Sequence, residues 1–424
     1  VSAPSAESRQ VLTSGLRLIV APRPGSGLAA IELRVRVGSG DETEATAGHA
    51  HLLEHVVFKG ADGFGPGAFD EAMELLGGEV VARTSRDATT YSVALPAENV
   101  GGALSLLGRM LQHPALRPGD LDAERPVIEA ENALARSDAP RAALGALAAQ
   151  LFTDDEPYGR PILGTAMQRR AATAATLKAF HADWYRPERM TLVIAGDITA
   201  ERAADAARGA FPAPPSTSAP IEPITRIPHI PRLREQPAPP ISQPALDART
   251  TATLVLGWAT APAADARTAA TLAVLAHILS AETGPLVDPL IREKKLALSL
   301  GADYLPQRGA GLFVLTLTAP PDRLEKARDT LLTLLARLRE DGFDDALVAA
   351  ARQQERRRIL AETSTVEGRA RRLGLYDAFD GPPDLEAQTR QRVDEVNADA
   401  VLAALRVRLR PERAATVLLG RATP

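Results

Sequence analysis

The chemistry most readily read in this chain lies in His51-Leu52-Leu53-Glu54-His55. Two imidazoles four residues apart share one face of a helix, one turn apart. At that spacing both reach one small cation at bonding distance. Glu54 follows His51 by three residues and projects near the same face, where a carboxylate can ligate a metal or take a proton from water polarised by it. The chain has only seven His, so a pair at helical spacing around a Glu is uncommon by chance. Leu52, Leu53, Val56, Val57 and Phe58 surround the pair. The helix is therefore half buried, and an unpaired His or Glu there would be costly.

A second acidic stretch complements the first. Residues 118 to about 134 read as a helix carrying Glu124, Glu129 and Glu131. Glu124 and Glu131, seven apart, share one face. A helical carboxylate brought against His51 and His55 completes three ligands with an open fourth position, the arrangement of catalytic zinc. Spacing alone does not choose between Glu129 and Glu131. His49, two positions from His51, points off the metal face and reads as a solvated or capping residue. His113, His181, His229 and His277 have no acidic or His partner at ligand spacing and read as structural.

The elements that must position these residues follow from pattern. Residues 11–20 read as a hairpin with a Ser-Gly turn and 29–37 as an alternating strand. An acidic loop, 41–47, leads into the His51 helix. A helix at 68–76 stops at Gly77-Gly78, and 80–95 contains two strands around Ser85-Arg86-Asp87. Helices follow at 98–112, 142–152, 176–184 and 200–211, with a strand at 190–194. Residues 213–244 are rich in Pro and poor in periodicity, an extended linker. Beyond it the pattern recurs. Arg186-Pro187-Glu188-Arg189 and Arg410-Pro411-Glu412-Arg413 lie half the chain apart, each after a helix and each followed by an apolar strand and a Gly. Two similar α+β halves are expected, 1–212 and 245–424. His277 is the one His after the linker, so one metal site per chain is expected, in the first half.

Composition narrows the classes. Net charge is −4, with 45% hydrophobic and 24% charged residues, which suits a globular chain and points to neither nucleic acid nor an anionic membrane surface. No apolar run is long enough to cross a bilayer as a helix, so no membrane-spanning helix is expected. Cysteine is absent, so a metal must be held by His and carboxylates. The Val1 start and the lack of cysteine are compatible with a periplasmic or otherwise exported protein.

Taken together these stretches resemble the M16 metallopeptidases, the pitrilysin and mitochondrial-processing-peptidase family. Residues 51–60 (HLLEHVVFKG) look like that family's zinc helix, the inverzincin order His-x-x-Glu-His. Gly77-Gly78, Ala82, Thr84, Asp87, Thr89 and Tyr91 are similar to its strand region, residues 124–131 (ERPVIEAE) to its distal ligand helix, and 157–164 and Tyr185-Arg186-Pro187 to two further stretches. The resemblance implies two homologous α/β-sandwich domains, each with an antiparallel-dominated sheet and helices on one face, the LuxS/M16-like metalloenzyme fold. It implies one Zn²⁺ held by His51, His55 and Glu131, with Glu54 as general base and Glu124 orienting a ligand from outside the first contacts. It implies hydrolysis of extended peptides laid along a sheet edge that includes Val81, Ala82 and Thr84, inside a chamber closed by two chains.

Two departures from the family pattern stand out. Val81 replaces an Asn, removing one amide from the edge strand. In the second half Arg292 is kept, but the Tyr expected seven residues later is Leu298 or Ser299, and Tyr304 falls on the following strand. The resemblance therefore implies a zinc-bearing subunit whose homologous partner supplies the Arg/Tyr pair, in a heterodimer or, if Tyr304 substitutes, a homodimer. The alternative is a non-catalytic scaffold or peptide-binding member of the same fold, which would have no need of the set His51, Glu54, His55 and Glu131.

Overall fold

The computed structural model describes residues 7–61, 63–213, 230–243 and 251–420. Of the Pro-rich segment 213–244, residues 214–229 and 244 lie outside the described residues, as does His229. The described strands form two sheets. The first contains β1 (Ser8–Val11), β2 (Arg17–Pro22), β3 (Leu28–Val35), β4 (Val81–Thr84), β5 (Thr89–Pro96) and β6 (Met190–Gly196), ordered β1-β2-β6-β3-β5-β4. Only β2 and β6 run parallel; the other pairings are antiparallel. The second contains β7 (Ile241–Gln243), β8 (Ala252–Ala259), β9 (Ser299–Leu305), β10 (Leu312–Ala319) and β11 (Ala415–Leu419), ordered β7-β11-β8-β10-β9. Only β7 and β11 are parallel there. The two antiparallel-dominated α+β halves expected from the sequence are present.

Residue types explain the layering. Every residue of β6, MTLVIAG, is buried, and a strand without alternation must be covered on both faces. β3 splits by parity. Ala29, Ile31, Leu33 and Val35 join the main core of the first unit, with Leu53 and Val56 of the helix His49–Val56 and with Leu104 and Leu107 of the helix Val100–Gln112. Ala30 faces the other way, with Ile19, Ala21, Val193 and Ala195.

That second face corrects the expectation of helices on one face only. It is covered by the helix Val366–Asp377, whose Val366, Ala370 and Leu373 complete the apolar layer. Gly374 is the closest point: a Cβ there would stand 2.7 Å from Arg34 Nε. Polar contacts hold the rim of this helix. Thr191 Oγ1 donates to Asp377 at 2.6 Å, and Arg17 pairs with the same carboxylate at 3.0 Å. The second sheet is treated likewise. The helix Ala139–Leu151 lays Ala143, Leu147, Ala148 and Leu151 on Val255, Val314 and Val417.

The compact units therefore do not follow a single cut along the chain. Residues 361–380 belong to the first unit, and residues 133–160 to the second. The shift that carries Arg186 onto Arg410 also carries the span 139–151 onto 363–375. The two covering helices thus occupy equivalent places in the repeat and are exchanged between its halves.

Leu373 is fully buried in this exchanged contact. Leu373→Ala should cost about 2–5 kcal/mol, read as faster hydrogen exchange in 17–22, 28–35 and 190–196 although the substitution lies far downstream of all three strands. Faster exchange confined to 252–259 and 312–319 would contradict the exchanged packing.

Candidate metal centre

The helix His49–Val56 is held before it begins. Gly48 has φ 88°, and a Cβ there would lie 2.6 Å from the Leu163 carbonyl oxygen, so only glycine suits the turn. Glu42, buried, accepts from the Gly48 N–H at 2.8 Å and from the Ala50 N–H at 2.7 Å. It satisfies free donors of the first turn and opposes the positive end of the helix dipole. Seven of the eight helical residues are buried, among them His51 and Glu54.

The second carboxylate arrives from the helix Pro118–Ser137. One oxygen of Glu131 lies 3.4 Å from His51 Nε2 and 3.2 Å from His55 Nε2. The ring centroids of His51 and His55 are 4.7 Å apart, and one donor atom from each of the three residues lies within 4.8 Å of the others. Glu129, two residues earlier, is taken by Arg169, whose Nε and Nη2 donate to its two oxygens at 2.9 Å each. The choice that spacing left open is thereby made: Glu131 faces the imidazoles and Glu129 does not.

A further layer surrounds this cluster. His55 Nδ1 meets Glu124 Oε2 at 3.0 Å, and the other oxygen of that buried carboxylate meets Lys59 Nζ at 2.6 Å. A carboxylate on Nδ1 fixes the ring orientation and leaves Nε2 as the outward donor. Glu54 accepts a short hydrogen bond from the Thr84 hydroxyl on β4. Tyr91 and Tyr185 join hydroxyls at 3.0 Å in the core beneath, and burial holds both phenols above their ordinary range.

The residues fit a small divalent cation. With bonds of about 2.0–2.2 Å, tetrahedral donors stand about 3.3–3.6 Å apart; the Glu131–imidazole separations are 3.4 Å, within that range, and 3.2 Å, just below it. Two imidazole nitrogens and a carboxylate oxygen are the donor types such ions take. Electrostatics agree. Hydrogen bonds from His51 and then His55 hold the Glu131 carboxyl well below the usual range. Burial disfavours a charged His55 ring, yet the contacts from Glu131 and Glu124 and the charge of Glu54 outweigh it, so the ring holds its proton above the ordinary 6.5. Both shifts show an excess of negative charge around these rings, which suits a cation.

Other expected positions fall as follows. Val81, Ala82 and Thr84 form β4, the sheet edge, which packs against the His51 helix. Val81 is exposed, but Thr84 is buried and its hydroxyl holds Glu54 rather than facing outward. Arg292 lies in the second unit and pairs with Asp288 at 3.2 Å on its own helical turn. Leu298 and Ser299 are exposed, and Tyr304 lies on β9 opposite Phe313. His49 is neither solvated nor a cap. It is buried against Phe180 with Nε2 3.0 Å from Thr176 Oγ1. His277 has an acidic partner after all, Glu355 at 3.0 Å, supplied by a helix far along the chain. Two supporting residues went unread in the sequence, Glu42 and Lys59. Lys59 stands four after His55, a spacing that could have exposed it; Glu42 had no signal beyond the acidic loop.

In metal-free protein the raised His55 value makes this ring a source of stability that is fully present below about pH 6.5 and lost as pH rises through the folded value. Glu131→Gln and Glu124→Gln should each lower the His55 pKa, followed by the imidazole Cε1–H resonance during an NMR pH titration. An unshifted His55 titration in Glu131→Gln would show that the carboxylate does not face the ring.

Comparison with known proteins identifies the family. The model of the insulinase family, peptidase family M16, matches residues 18–166, and the model of the peptidase M16 inactive domain matches residues 171–355. An uncharacterized zinc protease of Mycobacterium tuberculosis is 33% identical over 193 residues, 46% of this chain and 44% of the relative. A probable mitochondrial-processing peptidase subunit beta of Arabidopsis thaliana is 32% identical over 200 residues, 47% of this chain and 38% of the relative. The matched stretch thus spans less than half the length of these relatives. The fold is also that of a crystal structure of a protease from Helicobacter pylori, with a TM-score of 0.87, 18% identity and coverage of 99% of this chain and 100% of the other. This chain belongs to the M16 peptidase family.

Proposed function

We propose that this chain is the zinc-bearing subunit of an endopeptidase that hydrolyses extended or unfolded peptides, completed by a homologous partner that contributes an Arg/Tyr pair. The observation that carries the reading is the convergence of His51, His55 and Glu131 donors beside Glu54. A zinc ion held by those three residues would supply Lewis acidity to the scissile carbonyl and to the attacking water. Glu54, on the same helix and steadied by Thr84, takes the proton as the water oxygen adds to the carbonyl carbon, then returns it to the amine that leaves as the C–N bond breaks. Lys59 and Glu124 keep the His55 ring turned toward the ligand position.

The unpaired edge of β4 suits an added peptide strand, bound mainly through backbone hydrogen bonds. With Val81 in place of an amide, that binding lacks one side-chain contact. The partner follows from the second half. Neither Leu298 nor Ser299 can donate from the reach of a phenol, and a missing oxyanion donor costs about 10²–10³ in rate. A chamber between two such chains would admit peptides by size and exclude folded proteins. The match of residues 171–355 to an inactive-domain model fits a second half that serves the site without holding a metal.

Zinc titration separates the ligands. Glu131→Gln should weaken binding more than about 100-fold, Glu124→Gln and Lys59→Met about 10–100-fold, and Glu129→Gln little. Equal losses in Glu129→Gln and Glu131→Gln would overturn the ligand set. Activity is tested with a quenched unstructured peptide mixture. The zinc-loaded chain alone should be slow, and Glu54→Gln should keep zinc while losing about 10²–10⁴ of any rate. Full activity in the lone chain would remove the partner from the proposal. Activity unchanged in Glu54→Gln would remove the peptidase mechanism and leave a peptide-binding scaffold.

A further inference from the structure

A cavity of about 300 Å³ lies wholly among residues of the second unit. Arg234, Arg408, Arg410 and Arg413 line it, and Leu151, Leu233, Val407 and Trp258 provide apolar wall. Four arginines lining one small cavity bring like charges close together, and among the described residues countercharge is scarce. Arg234 pairs with Asp154. Arg413 donates to the backbone carbonyls of Arg234 and Glu235, which carry no net charge. Arg408 and Arg410 meet no carboxylate among the described residues. The Nε of Arg234 is buried with no hydrogen-bond partner among them.

The internal repeat provides a control. In the first copy the same sequence, Arg186-Pro187-Glu188-Arg189, gives each arginine a partner. Arg186 pairs with Glu188, and Arg189 lies 4.3 Å over the ring of Trp184. In the second copy, with Arg410 set on Arg186, the position equivalent to Trp184 is Arg408. The ring that occupied one guanidinium is replaced by another guanidinium, and Arg410 forms no ion pair with Glu412. Simple retention of a structural turn does not account for that exchange. Trp258 remains as an anchor from β8, its Nε1 donating to the Arg410 carbonyl at 2.8 Å and fixing the backbone from which Arg410 projects.

We propose that this cavity binds a small organic phosphate. Among the described residues three of these arginines have no carboxylate partner, more than a single carboxylate offsets, whereas a phosphate dianion offsets two charges and accepts planar paired hydrogen bonds from several arginines at once. The volume matches a small ligand. Leu233 and Val407, 47% and 55% exposed, are apolar rim residues that the organic part of the ester would cover. None of the residues lining the cavity is a proposed metal ligand, so its occupancy is measurable without peptidase activity.

The test is calorimetric titration of the full chain with phenyl phosphate, and separately with inorganic phosphate and benzoate. Phenyl phosphate should bind saturably at one site per chain, tighter than either other probe. Arg408→Gln and Arg410→Gln should each weaken it by about tenfold or more while keeping the melting temperature. Arg410 is exposed, so its variant remains informative if Arg408→Gln fails to fold. Arg356→Gln, on an exposed helix surface and paired with Asp394, should bind as the parent does. Absence of saturable binding would overturn the proposal. So would binding unchanged in the Arg408 and Arg410 variants, which would place the phosphate elsewhere, including at the metal, or an equal loss in Arg356→Gln. Benzoate binding as tightly as phenyl phosphate would make this a carboxylate site and refute the phosphate assignment.

Discussion

Glu131 lies across the outward nitrogens of His51 and His55, and the first unit is built so that this contact can exist. Ionisable groups at low exposure are stable only when each has a partner. Here each partner is itself held: His55 by Glu124, Glu124 by Lys59, Glu54 by Thr84, and the neighbouring Glu129 by Arg169. The chain of partners runs outward from the metal position into four separate elements. The two imidazoles on a short helix are thus held in place because Thr84 on the strand, Lys59 after the helix and the distal helix each supply a partner to one group of the cluster.

The same logic governs the scaffold. Both sheets are apolar on two faces, and a two-faced apolar sheet must be covered twice. Each half of the chain sends one helix to complete the sheet of the other, Val366–Asp377 in one direction and Ala139–Leu151 in the other. The first sheet carries the edge strand and the floor of the metal centre, so the packing beneath them depends on residues from the far half of the chain. Loss of a helix usually weakens its own domain; here it would expose the face of a sheet formed largely by the other half.

Repetition and divergence also account for the two site-like features. The first copy has His51, Glu54 and His55, and the arginines of its Arg-Pro-Glu-Arg turn are partnered by Glu188 and the Trp184 ring. The second copy lacks the imidazoles and gathers arginines around a cavity instead. One architecture therefore carries a carboxylate-rich cluster in one unit and an arginine-rich one in the other, although net charge over the whole chain is only −4. Overall charge hides these two local clusters because it sums over the whole chain.

Local chemistry was legible from sequence by itself. Four-residue spacing puts His51 and His55 on one helical face whatever the fold, and the alternation of 29–37 or the Gly77-Gly78 stop follows from backbone geometry alone. The recurrence of Arg-Pro-Glu-Arg at 186 and 410 made two similar halves readable. Tertiary structure decided what depends on contacts between distant segments. It selected Glu131 over Glu129, since both lie on one helix and only packing determines which meets the imidazoles and which meets Arg169. It turned Thr84 inward to Glu54, buried His49, and gave His277 a carboxylate from Glu355. It also exchanged the two covering helices, because the apolar stripes Val366, Ala370 and Leu373 in one and Ala143, Leu147 and Leu151 in the other mark a buried face without saying which sheet covers it.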